Sequence, residues 1–176
     1  MAHPLKFAGL LAALLSSVLS AQQVNEYYVK AAYVYNLTKF VEWPPQVFKN
    51  GSDPIVICIL GQSPILEALL EAVKGERVDG RTLIVQQFPA AEQVHGCHLL
   101  FIAAPDRKRT RSILEDVKAS GTLTVGEAED FLDEGGAVNF KLEGNRIRIE
   151  VNLTAVERHG LRISPKLLSL ARVVRK

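Results

Sequence analysis

Two short stretches of this 176-residue chain contain almost only apolar residues, and they constrain the fold more than any other feature. The first, at 55–60, reads IVICIL, and the second, LLFIA, lies within a strand expected over 98–103. A strand without a polar face is typical of parallel sheets that are covered by helices on both sides. Further strands are expected at 81–88 and 123–125.

Amphipathic segments alternate with these strands. One helix begins at Ser63-Pro64, where serine suits the N-cap and proline suits the first turn. Another helix is expected over 106–120. A first helix is expected over 25–41, before Pro44-Pro45, because proline cannot continue a helix. Its apolar face is predicted to contain Tyr28, Ala31, Ala32, Tyr35 and Thr38 or Lys39.

The pattern changes after Gly135-Gly136. Apolar and polar residues alternate over 137–142 and again over 146–151, on either side of a glycine-containing turn. This pattern predicts an antiparallel hairpin with one core face and one open, charged face. A short helix near 154–159, a short strand at 161–163 and a final helix, capped by Ser164 and running through Val174, are expected to follow.

These elements predict an α/β fold. We expect a three-layer α/β sandwich with a mixed sheet, a C-terminal antiparallel hairpin and flanking helices. Residues 22–176 have the length of a single domain, which usually has about 100–200 residues. Residues 1–21 combine positive, apolar and small residues in the order of a secretory signal peptide. Their apolar run is shorter than the roughly 20 residues of a membrane span, so no direct membrane insertion is expected.

The two cysteines, Cys58 and Cys97, lie far apart in the sequence. An exported protein meets an oxidising compartment, where an even number of thiols usually pairs. A disulfide is therefore favoured over two buried free thiols. Closing so long a loop would stabilise the fold by about 3–4 kcal/mol in the chain-entropy model.

Charge and motifs argue against several function classes. Lys and Arg number 21 against 19 Asp and Glu, which is not the concentrated basic face that nucleic acid needs. Gly61 lacks the other glycines of a dinucleotide fingerprint, and Ser63 lacks the glycines of a nucleophile elbow. Histidines flank Cys97, but no second ligand pair completes a zinc site. We expect no enzyme activity, cofactor, metal or nucleic-acid partner.

Two stretches of the sequence go beyond generic patterning. The first is 29–44, which ends at Trp43-Pro44; the second runs from 135–140 through 146–152 to 160–168. Together with Leu123-Thr124-Val125-Gly126 before Phe131, they resemble the YfiR-like periplasmic repressor family over roughly 24–174.

The resemblance implies a soluble regulator in the periplasm that represses an inner-membrane diguanylate cyclase. Members bind the periplasmic sensor domain of this membrane-bound enzyme, lower cyclic di-GMP and restrain biofilm formation, and they tend to form homodimers. Cys58 and Cys97 match the family's long-range disulfide in position. The type member has a second, short-range disulfide that this chain lacks, so redox control through a second bridge is not expected here.

Two sets of site residues are predicted. Partner contacts are expected at Phe131, Phe140, Arg146, Arg148 and Glu150, although core packing is the favoured role of Phe140. A second hypothesis is a small-anion pocket around Trp43, Arg162 and Ser164, because an arginine beside a helix N-terminus suits an anion. This pocket belongs to an alternative function, a periplasmic ligand-sensing module that acts on another receptor such as a histidine kinase.

Overall fold

The computed structural model describes residues 26–103, 107–118 and 120–176, so the predicted signal peptide lies outside the described residues. Short 3-10 turns at Pro45–Val47 and Ala91–Gln93 interrupt the loops. The elements in chain order are α1 (26–40), β1 (Val41–Glu42), β2 (Ile55–Leu60), α2 (Ile65–Ala72), β3 (Arg77–Val78), β4 (Arg81–Phe88), β5 (Leu99–Ile102), α3 (Arg107–Asp116), β6 (Leu123–Gly126), β7 (Val138–Glu143), β8 (Arg146–Asn152), α4 (Leu153–Arg158), β9 (Arg162–Ile163), α5 (Pro165–Leu168) and β10 (Arg172–Val174).

Eight of the described strands form one mixed sheet in the order β10-β8-β7-β6-β5-β2-β4-β3. β2 lies between β4 and β5 and is parallel to both. The parallel part continues from β5 to β6 and from β6 to β7. All residues of β5 and β6 are buried, and so are all residues of β2 except Val56. The prediction that the apolar runs are strands buried on both faces is confirmed.

The antiparallel hairpin is also confirmed. β7 and β8 pair from Val138 opposite Val151 to Glu143 opposite Arg146. Gly144 in the turn has a φ of 59°, which glycine adopts without a steric penalty.

Helices cover both faces of the sheet, as a three-layer sandwich requires. On one face, buried residues of α1, α2 and α4 pack with Ile57, Ile59 and Phe101 of the strands. On the other face, Ile113 and Leu114 of α3 pack with Leu100, Ile102 and their neighbours. Alternate residues of β2 and β5 thus enter two separate cores.

The predicted disulfide is present. Cys58 in β2 and Cys97, just before β5, are bonded, with their Cα atoms 5.8 Å apart. Both residues are buried in the core that faces α3. The bridge therefore ties two neighbouring parts of the parallel sheet.

The predicted final helix is wrong beyond Leu168. α5 has only four residues, and the chain then forms β10, which pairs in parallel with β8 from Arg172 opposite Glu150 to Val174 opposite Asn152. An apolar stripe over 167–174 fits a helix equally well, but Leu170 is 73% exposed. The β-branched residues Val173 and Val174 gain a strand partner instead.

The predicted face of α1 is confirmed only in part. Ala31 and Thr38 are buried, but Tyr28 is 48% exposed and Ala32 is exposed, and the buried face is completed by Val34 and Leu37. The helix also ends one residue early, because Val41 and Glu42 pair with β9.

The small hairpin of β3 and β4 was not predicted. Its two turn residues, Asp79 and Gly80, have φ values of 52° and 78°, and β3 is antiparallel to β4. Asp-Gly is a strong signal for such a turn, so the sequence contained the information.

Candidate partner-binding groove

The first two turns of α1 carry a second apolar stripe beside the one that enters the core. Val29 and Tyr33 are four residues apart and therefore lie on the same side of the helix. Val29 is exposed and Tyr33 is partly buried. This stripe is available for contacts outside the main core.

The tip of the hairpin provides the opposing surface. Along the inner face, Val138 and Phe140 are buried, but the last inward pair, Leu142 opposite Ile147, leaves Leu142 51% exposed. The core face of the hairpin thus continues as an exposed apolar surface near its turn.

These two surfaces form a groove with a volume of about 410 Å³. We call it the α1–hairpin groove. Its centre is apolar and its rim polar, which is the usual organisation of a protein interface. Its lining residues are Glu26, Val29, Tyr33, Leu142, Asn145, Arg146, Ile147 and Arg148.

The rim of the groove has a positive excess. Arg146 is exposed and has no ion pair among the residues that the structure describes, while Arg148 lies 3.2 Å from Glu143 in an exposed pair. The acidic lining residue, Glu26, is already bound to Lys30 at 2.5 Å. A carboxylate from a partner would therefore find an unneutralised guanidinium in Arg146.

Lys30 connects α1 to the end of β6 behind the groove. Its ammonium lies 2.5 Å from Glu26 and 2.6 Å from Glu127, and its side chain is only 6% exposed. Burial by itself would lower the pKa of Lys30, but hydrogen bonds to Glu127 and Glu26 outweigh it and raise the pKa above its usual value. The ion pairs fix the start of α1 and hence one wall of the groove.

The predicted partner-contact residues do not lie together. Arg146 and Arg148 line the groove. Glu150 faces β10 instead and pairs with Arg172 at 3.2 Å. Phe131 and Phe140 are each 1% exposed, so neither is accessible to a partner in this structure.

Phe131 has a packing role that explains two glycines. A Cβ atom on Gly126 would lie 2.4 Å from the Phe131 ring, and one on Gly136 would lie 2.2 Å from it. Only residues without a side chain fit on both sides of this ring. Phe131 therefore holds the β6–β7 connection against the sheet.

Sequence reasoning missed the contribution of α1 to the groove. Val29, Tyr33, Leu142 and Ile147 were all outside the predicted site. The spacing of Val29 and Tyr33 was a readable signal, because it adds a second apolar stripe that a single core face does not use. Their proximity to the hairpin tip depends on tertiary packing.

The residues of the predicted small-anion pocket lie near the β1–β9 pair. Glu42 is opposite Arg162 in that pair, and the amide of Ser164 donates to the carbonyl of Phe40 at 2.8 Å. Trp43 donates its indole N–H to the carbonyl of His98 at 3.1 Å. Trp43, Arg162 and Ser164 do not line the α1–hairpin groove, and α5 is a single turn.

The histidine beside the disulfide is part of the framework. His98 accepts a hydrogen bond from the amide of Val56 at 3.0 Å and stacks on Phe48, with ring centroids 4.6 Å apart. Burial, with a contribution from Arg81, lowers the pKa of His98. Within the described ranges, no group of three His, Cys, Asp or Glu side chains is placed to hold a metal.

No helix in the described part of the chain is long and apolar enough to cross a membrane.

Comparison with solved structures shows a related fold. An ABC domain from Streptococcus pneumoniae in complex with L-Trp superposes with a TM-score of 0.51 at 10% sequence identity. The match covers 68% of this chain and 55% of that chain, so this chain spans about half the length of that protein. At this identity the similarity concerns the fold alone.

Comparison with families of known proteins is more specific. The sequence model of the YfiR/HmsC-like family matches residues 27–172, from the first turn of α1 to the start of β10. This match includes the described strands from β1 to β9 and, apart from Glu26, all residues that line the α1–hairpin groove. The chain belongs to the YfiR/HmsC-like family.

Proposed function

We propose that this protein is a soluble periplasmic repressor that binds the periplasmic sensor domain of an inner-membrane diguanylate cyclase through the α1–hairpin groove. Bound repressor holds the cyclase inactive, which lowers cyclic di-GMP and biofilm formation.

One observation carries the proposal: the family match over residues 27–172. The YfiR/HmsC-like family consists of periplasmic regulators of diguanylate cyclases, which are regulatory rather than catalytic. The match extends over nearly the entire described chain.

The groove supplies a surface of suitable chemistry. Exposed Val29 and Leu142 offer apolar contacts, and Arg146, which has no ion pair within the described part of the chain, offers a guanidinium at the rim. Tyrosine and arginine are enriched among the residues that dominate the binding energy of protein interfaces, and the groove contains Tyr33 and Arg146. The complementary surface on the sensor would present apolar side chains beside a carboxylate.

Repression requires a difference in affinity between two states of the cyclase. A repressor that bound the active and inactive sensor equally well would not shift their populations. The groove should therefore fit a sensor conformation that exists only in the inactive enzyme.

The first test is genetic. Deleting the gene in its own host should raise cyclic di-GMP, and wild-type protein supplied to the periplasm should reverse the rise. An unchanged level of cyclic di-GMP after deletion would refute the repressor function and favour the ligand-sensing alternative.

The groove is tested in the same strain with two substitutions, Leu142→Asp and Arg146→Glu. Each should abolish the reversal and weaken binding to the purified sensor domain by roughly 30-fold, since an interface anchor contributes about 2 kcal/mol or more. Arg158→Glu is the matched control: it reverses the charge of an exposed arginine at the end of α4, outside the groove and outside the predicted small-anion pocket. Full repression by both groove variants would show that the partner binds elsewhere.

A further inference from the structure

One edge of the large sheet has a strand that is mostly without a neighbour on its outer side. This strand is β4, which pairs with β2 on its inner side from Leu83 to Phe88. On the outer side, β3 pairs only with Arg81 and Thr82. Residues 83–88 of β4 therefore have no strand beside them on the outer side among the described elements. We call this part of β4 the free edge.

The unpaired backbone groups of the free edge belong to alternate residues. The amide of Gly61, directly after β2, donates to the carbonyl of Phe88 at 2.9 Å, so the backbone groups of Phe88 point towards β2. Both backbone groups of a strand residue point to the same edge, and successive residues alternate. The amides and carbonyls of Val85 and Gln87 therefore point outward. A row of such donors and acceptors is a template for another extended chain.

The free edge lacks the features that usually keep two sheet edges apart. Exposed edge strands of natural proteins commonly carry charged side chains, proline or a bulge. Residues 83–88 read LIVQQF, without a charge or a proline. They pair one to one with residues 55–60 of β2, so the strand has no bulge there. This sequence suits an edge that is covered by a second strand.

Exposed apolar side chains flank the free edge on both faces of the sheet. Ile84 is 40% exposed and lies on the same face as Phe88, the face that α3 covers further along the sheet. On the other face α2 packs on β4. Ala68 of α2 lines a cavity between α1 and α2. Leu70 lies about 200° around the helix from Ala68, so it points away from α1, and it is 49% exposed.

The free edge is complementary to a second copy of itself. If two copies pair antiparallel about a two-fold axis at Gln86, Val85 of each copy exchanges two backbone hydrogen bonds with Gln87 of the other. These are the residues whose backbone groups point outward. Ile84 then lies opposite Phe88, and a β-branched residue opposite an aromatic one is a favourable cross-strand pair. A closed dimer requires such a self-complementary surface.

We propose that two copies of this protein form a two-fold dimer by antiparallel pairing of residues 84–88 of their free edges, which joins two sheets into one. β3 occupies the edge as far as Thr82, so the contact is short and the dissociation constant is expected to be on the order of micromolar. The strands β2, β5 and β6 separate β4 from the hairpin by about 19 Å. Both α1–hairpin grooves therefore stay open, and the dimer does not depend on the proposed cyclase partner.

The first test is sedimentation equilibrium of the purified mature protein at concentrations from about 1 μM to about 1 mM. The mass should rise from that of one chain to that of two. Amide hydrogen exchange then locates the contact. The amides of Val85 and Gln87 should exchange roughly tenfold more slowly at the highest concentration than at the lowest, because dimer formation buries them. The amides of Ile84 and Gln86, which point to β2, should be protected at both concentrations.

Two substitutions test the edge directly. Ile84→Lys places a charge opposite Phe88 of the other copy, and Val85→Pro removes one outward donor without removing a hydrogen bond to β2. Each should weaken dimerisation at least about tenfold, since a charge or a proline on an edge opposes pairing. Leu170→Lys is the matched control: it adds the same charge at a residue that is 73% exposed and outside the free edge, and it should leave the dimer unchanged.

Urea denaturation of each variant checks that the fold is retained. A chain that is monomeric at every concentration overturns the proposal and leaves the free edge to a strand of another protein. A dimer in which the amides of Val85 and Gln87 exchange freely also overturns it, and so does a dimer that neither Ile84→Lys nor Val85→Pro weakens.

Discussion

The parallel part of the sheet and its C-terminal hairpin meet solvent in different ways. β5 and β6 are buried along their whole length, and β2 is almost so. In β8, by contrast, exposed Arg146 and Arg148 alternate with less exposed residues. The disulfide also lies in the parallel part. The buried contacts that stabilise the fold are thus concentrated in the parallel part of the sheet. The hairpin instead provides exposed surface for recognition.

This difference in burial separates core packing from partner contact, two roles that the sequence alone could not separate. Phe131 and Arg146 were both predicted to contact a partner, but Phe131 is enclosed between Gly126 and Gly136, whereas Arg146 is at the groove rim. Substitutions in the two regions should therefore change different measured quantities.

The largest effect on stability is expected for Phe131→Ala. Truncating this buried ring should lower the free energy of unfolding by about 3–5 kcal/mol, because it leaves a cavity between two glycines that have no side chains to fill it. Urea denaturation measures the change. Leu170→Ala, at a residue that is 73% exposed, should cost less than about 0.5 kcal/mol. Equal losses for the two variants would contradict the enclosed position of Phe131.

The next largest effect is expected when the disulfide is removed. Cys58→Ala/Cys97→Ala should lower the free energy of unfolding by about 4 kcal/mol, from the loop entropy of 39 residues. The folded variant should still bind the sensor domain, because neither cysteine lines the groove. Wild-type protein unfolded under reducing conditions is the control. If the variant were fully stable but failed to bind the sensor, the proposed division between stability and recognition would be wrong.

Much of the fold was predictable because its strongest signals are local. IVICIL is short and has no polar face, which is typical of a strand buried on both sides, and β2 is such a strand. The alternation over 137–151 predicted the hairpin that the structure forms. The stripe from Leu167 to Val174 was ambiguous, because a helix and a turn followed by a strand bury similar residues. The chain forms a strand here because β10 pairs with the edge of the sheet at β8, and a local sequence pattern does not report that long-range contact.

Only one of the two walls of the α1–hairpin groove was predictable from the sequence. The charged alternation identified Arg146 and Arg148, which line the groove. The other wall comes from Val29 and Tyr33, more than 100 residues earlier in the chain. Their approach to Leu142 results from packing α1 on the sheet, which sequence spacing does not report. Glu150 does not line the groove, and its carboxylate pairs with Arg172 on the unpredicted β10.

The smallest effect we predict is a dependence of stability on pH that compares the two regions directly. His98 lies beside β2 and β5, and His159 follows α4 after the hairpin. Burial is the main cause that lowers the pKa of each, with Arg81 adding to it at His98 and Arg158 and Lys118 at His159. Below the unfolded value of about 6.5, the unfolded chain therefore binds more protons than the folded one.

Stability should accordingly be fully present above about pH 6.5 and should fall as the pH decreases towards the lower pKa values of the folded state, by at most about 1.4 kcal/mol per pH unit for each histidine. His98→Gln and His159→Gln should each reduce this slope, measured as urea midpoints between about pH 7.5 and about pH 5. His95→Gln is the control, because this side chain is exposed. If only His98→Gln changes the slope, protonation destabilises the parallel region and not the region after the hairpin. If neither variant changes the slope, the two buried imidazoles are protonated in the folded state as readily as in the unfolded chain.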